Sequence, residues 1–210
     1  MMSLKSNLIS VSVICFDNKN YNKLIMSKLI NILVLSLILS ITPLFAGGIS
    51  REVQNILKNR FGSKVKIEYE QFYIPGKIKN SIEKQVRQRF YKKYVYVFNV
   101  IRDGTTVATA ILDNVIGKVM PITFLVIFDS RGKIVKTKII KYREQYGGAV
   151  ENPAWNKQFE GKDFNSDFTP GKTIDVITGA TLSVNSLSKG IRKLTILFNE
   201  IKKLNENKSK

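Results

Sequence analysis

Apolar residues recur along this chain with two different periods, and the switches between them mark its elements. Behind Ser50, a residue suited to capping, Val53, Ile56 and Leu57 share one helical face. Residues Lys64–Tyr73 then alternate through Val65, Ile67 and Tyr69 to Phe72, which predicts a strand ending before Pro75-Gly76. Asn80-Ser-Ile-Glu83 has the form of a capping box, and Ile82, Val86 and Phe90 follow on one helical stripe. Lys84, Arg87 and Arg89 fall between them and would form the solvated face of that helix, with membrane-surface contact as the alternative use.

Strand periodicity returns next. Tyr94–Arg102 and Thr105–Leu112 flank Asp103-Gly104, a two-residue turn that matches strand twist. Ile122–Phe128 and Lys133–Lys141 form a second pair around Asp129-Ser-Arg-Gly132. Near Ser183 a helical stripe begins: Leu187, Ile191, Leu194, Phe198 and Ile201 step by four, three, four and three. Hairpins with helices packed on them predict an α+β class, a single domain built on an antiparallel sheet. The domain would span residues 47–204, with a polar, fraying end from Lys202 and a tail over 205–210. No Gly-x-Gly-x-x-Gly follows a strand, so a Rossmann fold is not supported, and no internal repeat is found.

The N-terminal segment has a different pattern. Lys23 and Lys28 precede a largely apolar run from Leu29 to Phe45, with Pro43 near its end, and Ala46-Gly47-Gly48 follows it. A short positive region, an apolar region and a small-residue exit describe a secretory signal over residues 26–46, with Leu44 and Ala46 at the recognition positions. The signal reads correctly from Met26, so residues 1–25 are expected to be a mis-annotated extension. A retained anchor is the alternative, because the run reaches the short end of a membrane span. No Cys stands at the exit, which argues against a lipoprotein.

Charge and composition narrow the chemistry. The formal charge is +18, and without residues 1–46 the balance is 30 basic against 15 acidic residues. Lysines spread over solvated faces account for such a charge; an anionic ligand or membrane surface would also suit it. There is no His and one Cys, Cys15. That removes the usual zinc, haem and iron–sulfur sites and the His-dependent nucleophile arrangements. Any redox chemistry must then come from an organic cofactor.

Two stretches supply a candidate site. The first is Asp175-Val-Ile-Thr178-Gly179-Ala180-Thr181-Leu182-Ser183, which follows Pro170-Gly171-Lys172 and opens the last helix. That helix would aim its N-terminal N–H groups at the Thr181 hydroxyl, an arrangement that suits a phosphate. The plainer use of Thr181 or Ser183 is as a helix cap. The second stretch runs from Tyr142 to Lys162. Gly147 and Gly148 would let backbone approach a flat ring, and Trp155 and Phe159 would offer aromatic faces or simply pack in the core.

Asp175-x-x-Thr178-Gly179-Ala180-Thr181 resembles the flavinylation motif of the FMN-binding domain family. Known members are the covalently flavinylated subunits of sodium-pumping NADH:quinone reductase and of the Rnf electron-transport complex. Upstream, Glu144, Gly147, Trp155, Gln158, Phe159, Gly161 and Lys162 match a second family pattern, in the family's order. The sequence departs from that pattern at Tyr142, where the family has His, at Gln145-Tyr146 in place of Thr-Pro, and at Ala149 in place of Gly. The resemblance covers roughly residues 95–200 and implies FMN joined through its phosphate to Thr181 by a separate flavin transferase. By their own chemistry Glu144 would accept a hydrogen bond from a flavin ring N–H, or else be a solvated loop residue, and Lys162 would sit near the phosphate or the reduced ring. Asp175, Thr178, Gly179, Ala180 and Leu182 would complete the attachment site.

The expectation is therefore an exported electron-transfer flavoprotein on the outer side of a membrane. It would be a carrier or redox subunit more than a stand-alone catalyst. Its partners would be the transferase and a membrane electron-transport complex or extracytoplasmic acceptor, with no nucleic acid. A secreted basic module for an anionic polymer or membrane surface, or an FMN-based redox sensor, would account for the same chain differently.

Overall fold

The computed structural model describes residues 47–208. The proposed extension, signal or anchor, and Cys15 lie outside the described residues.

Five strands follow one another in space as they do in sequence: β1 (Lys66–Tyr73), β2 (Tyr94–Arg102), β3 (Thr105–Ile116), β4 (Pro121–Asp129) and β5 (Ile134–Lys141). Every neighbouring pair is antiparallel. The turn between β2 and β3 has Asp103 at φ 49° and Gly104 at φ 75°, the paired left-handed geometry that two-residue hairpins favour. The α+β class and the antiparallel sheet stand as expected.

The sheet is covered on both faces, which explains why β4 and the middle of β3 are buried without alternation. Alternate side chains go to opposite cores. Phe124, Val126 and Phe128 join the core under α2 (Gly76–Val86) and the long α4 (Thr181–Lys208). Leu125 and Ile127 join the core under α1 (Gly47–Phe61), where Val53 and Leu57 are fully buried. β1 is exposed along most of its length and carries Lys66, Glu68 and Glu70, the charged dress that protects an edge strand.

Two local readings are corrected. The capping box at Asn80 does not cap. The helix opens at Gly76 behind the extended Pro75, so Asn80 lies inside it. Proline is already locked near a pre-helical φ, and it ends the preceding strand one turn earlier than the box would. Glu83 instead accepts the Phe90 N–H at 2.7 Å and pairs with Lys79 at 2.7 Å. The helix then stops at Arg87, whose left-handed conformation (φ 53°) turns Phe90 into the core from beyond the helix end. The second correction concerns the C-terminus. α4 runs to Lys208, and the Lys202 ammonium donates to the Ser130 carbonyl at 3.1 Å, so the helix continues past Lys202.

α4 packs on the sheet through the expected stripe, all five of whose residues are buried. Gly190 lies on the same face, and a Cβ there would stand 2.6 Å from Val115 Cγ1 and 3.0 Å from Phe124 Cζ. Helix propensity would reward Gly190→Ala by about 1 kcal/mol. Forcing a methyl against a stiff β-branched neighbour costs about 1–3 kcal/mol. Overpacking wins, so Gly190→Ala is expected to lower the urea midpoint; an unchanged or raised midpoint would show that the helix simply lifts.

Candidate functional site

The attachment stretch is shaped by its own small residues. Gly179 sits at φ 80°, a left-handed conformation open to glycine at no steric cost, and the Ala180 N–H bonds back to the Ile177 carbonyl at 3.0 Å. The chain then enters α4, whose first turn closes from the Val184 N–H to the Ala180 carbonyl at 2.9 Å. Thr181 is thus the first helical residue and is exposed, as are Thr178 and Gly179. Leu182 beside it is 54% exposed. Ala180 stands where a capping side chain would normally be and has no acceptor to offer. Ser183 does not fill that role either, because its hydroxyl is buried and bonded to the Tyr142 phenol at 2.9 Å. The helix therefore opens with N–H groups facing out beside an exposed hydroxyl.

A short helix, α3 (Pro153–Lys157), holds the front of this stretch. The Trp155 indole N–H donates to the Asp175 carbonyl at 2.9 Å, and the Gln158 side-chain oxygen accepts the Asp175 N–H at 2.7 Å. Both main-chain groups of Asp175 are clamped by one turn of chain. Trp155 and Phe159 meet edge to face at 5.2 Å and are buried, so they serve the core. α3 is anchored in turn: Asn156 Nδ2 donates to the Val150 carbonyl at 2.7 Å, and the Thr137 hydroxyl on β5 donates to the Asn156 carbonyl at 2.9 Å.

The loop after β5 closes on the other side. The Tyr142 phenol donates to the Tyr146 carbonyl, which leaves the Ser183 hydroxyl to donate to the phenol oxygen. Gly147, at φ 85°, has no room for a side chain: a Cβ would lie 2.8 Å from the Tyr142 oxygen, 3.0 Å from Ser183 Oγ and 3.5 Å from Ala180 Cα. The two stretches singled out from sequence are thus packed together through Tyr142, Gly147, Ala180 and Ser183. Burial pushes the Tyr142 phenol above its ordinary value, against the Ser183 bond that lowers it.

Glu144 and Lys162 have structural partners. Glu144 Oε1 accepts the N–H groups of Val119 at 2.7 Å and Met120 at 2.8 Å, fixing the turn between β3 and β4. Those bonds, Val119 first, hold its carboxyl below the ordinary carboxylate value. The Lys162 ammonium donates to the Asp167 carbonyl at 2.9 Å and lies 5.7 Å from the Phe168 ring centre, bracing the loop beyond α3. The Glu144 anchor is present above the unfolded carboxylate range and is lost as pH falls through the lower folded value. NMR titration is expected to show the Val119 and Met120 amide protons moving together, with a midpoint below 4.5. A midpoint at or above that value would break the link.

The turn from 117 to 120 was missed in the sequence reading. Val119 is 70% exposed and Met120 44%, and Tyr146 and Leu182 are also exposed apolar groups on segments of this site. An apolar Val-Met pair in a hairpin turn, where polar residues are usual, was the available signal. Among the described residues no His, Cys, Asp and Glu grouping suits a metal, and no helix is long and apolar enough to cross a membrane.

An exposed hydroxyl on the first residue of an uncapped helix, beside a loop packed through Gly147 on Ala180 and Ser183, is an arrangement that suits a phosphate-bearing ligand. Residues 117–195 match the family model of the FMN-binding domain, which supports FMN as the ligand. The match runs from the turn held by Glu144 to the middle of α4 and contains both stretches of the site. No curated protein matches the chain.

Proposed function

We propose that this protein is an exported electron carrier holding FMN as a phosphoester on Thr181. The observation that carries the reading is the position of Thr181: exposed, first in α4, and behind an alanine that leaves the helix N–H groups uncapped. When bound, FMN supplies the electron chemistry that a chain with no His and one Cys lacks. The chain's own work is to hold it. The α4 N-terminus would receive the phosphate, and the Trp155 and Gln158 clamp on Asp175 would fix the loop that presents Thr181. The loop through Gly147 would bound the site on its other side.

Attachment would be made by a flavin transferase using FAD. A bond forms between Thr181 Oγ and the flavin-side phosphorus, the bond to the AMP phosphate breaks, and the hydroxyl proton leaves with AMP. A tether has value outside the cytoplasm, where lost flavin is hard to replace. The apolar stretch from Leu29 to Phe45 supports export, and the donor and acceptor would be a membrane redox complex and an outer-side partner. Intact-protein mass after co-expression with a transferase, with export, tests the reading. A gain of one FMN less one water is expected; a folded protein with no gain beside an active transferase would sink it.

A further inference from the structure

One cavity of about 540 Å³ lies on the flank of α4, and neither stretch of the attachment site provides its cationic groups. It lies between the end of α2, the end of β3 and the first turns of α4, and Asn185 on its wall is one turn above Thr181, to whose carbonyl its amide donates at 2.9 Å. Arg87, Arg89 and Lys189 line it, and no Asp or Glu does. Among the described residues none of these three side chains has an ion-pair or hydrogen-bond partner. Most basic side chains of the described residues have no carboxylate partner, so what distinguishes these three is that they share one hollow with no acid on its wall. Three unpaired cations on one hollow repel each other, and an anion there removes that cost.

Two further features mark the hollow as built. Arg87 holds a left-handed backbone at φ 53°, ψ 44°, a place where glycine is the ordinary residue, yet a long cation occupies it. Gln88 on the wall donates to the Ser186 carbonyl at 3.0 Å and so ties the segment after α2 to α4. Phe90 and Val115 supply an apolar floor.

We propose that this cavity is a second ligand site, for a small organic anion. The ligand would carry a carboxylate or phosphate for Arg87, Arg89 and Lys189 and a compact apolar body for the floor. The site does not depend on the flavin reading, although a ligand there would lie beside the tether.

Calorimetric titration of the purified full-length protein with 4-hydroxybenzoate, phenol and inorganic phosphate tests it. Saturable 1:1 binding of 4-hydroxybenzoate is expected, with phosphate weaker and phenol undetected. Arg87→Gly relieves the backbone strain while deleting the side chain, so the variant should melt no lower and still lose binding at least tenfold. Arg89→Gln should lose as much, and Lys58→Gln, which removes one charge on α1, should lose less than twofold. No saturable binding, or equal losses for Lys58→Gln and Arg89→Gln, would overturn the proposal. So would binding to Thr181→Ala but not to flavin-loaded protein, because the cavity would then be the seat of the flavin itself. Binding to both forms supports a separate site even if no flavin is ever attached.

Discussion

Thr181→Ala protein, co-expressed with a flavin transferase and exported, is expected to show the unmodified mass while wild type gains one FMN less one water. The effect should be complete, because the two other hydroxyls nearby are poorly placed. Ser183 is 4% exposed and its hydroxyl is bonded to Tyr142. Thr178 is exposed but lies outside the helix, before the left-handed Gly179, so the first turn of α4 does not present it. Thr181→Ser should keep the adduct, since the hydroxyl and the helix end remain. Stability separates this result from simple misfolding. Thr181 is an exposed helical residue, and alanine has the higher helix propensity, so the variant should melt within about 0.5 kcal/mol of wild type. Full adduct on Thr181→Ala, mapped by peptide mass to Thr178 or Ser183, would reassign the tether.

The fold was largely legible because its signals are local and agree with one another. Alternation gave the strands, Asp103-Gly104 gave a hairpin turn, and the stripe from Leu187 to Ile201 gave α4. Misreadings arose where a neighbour outside the window decided the outcome. Pro75 started α2 before the box at Asn80 was reached. Lys202 found a carbonyl at Ser130, 72 positions away, and the last turns of α4 formed.

The site was legible in its residues more than in their roles. Gly147 and the Ala180 segment were chosen separately, and they meet. Glu144, Trp155 and Lys162 were assigned to a flavin, and the structure adds a protein partner for each: Val119 and Met120 for Glu144, the Asp175 carbonyl for Trp155, the Asp167 carbonyl for Lys162. A side chain that fixes a loop and one that touches a ligand leave the same trace in a motif. Arg87 and Arg89 are exposed, as the reading of a solvated face had it; what the structure adds is that the chain turns at Arg87 and both side chains line one hollow.

Lys193 is the group sequence least disclosed, and changing it should produce the largest loss of stability. It stands between Arg192 and Leu194, where a lysine reads as solvated, but it is 0% exposed. Its ammonium lies 3.1 Å from Asp113 Oδ2 on β3, donates to the Arg89 carbonyl at 3.1 Å and rests 4.4 Å from the Phe90 ring centre. The contact with Asp113 is ionic more than a well-aligned hydrogen bond, since Oδ2 lacks a donor in proper geometry. Desolvation is costly for both groups, so the pair is weak evidence of net stabilisation, while removing one partner strands the other. Lys193→Met should therefore cost about 3–5 kcal/mol in urea unfolding. Asp113→Asn should fall at the low end of that range, because the ammonium keeps the Arg89 carbonyl and the Phe90 face. The double variant Asp113→Leu with Lys193→Met should recover most of the loss, since apolar replacement of a buried pair is often neutral. Additive losses in the double variant would mean that the two charges do not depend on each other. The pair also ties α4 to β3 and to the segment carrying Arg89, so the single variants should weaken anion binding at the cavity while the exposed Thr181 keeps its flavin.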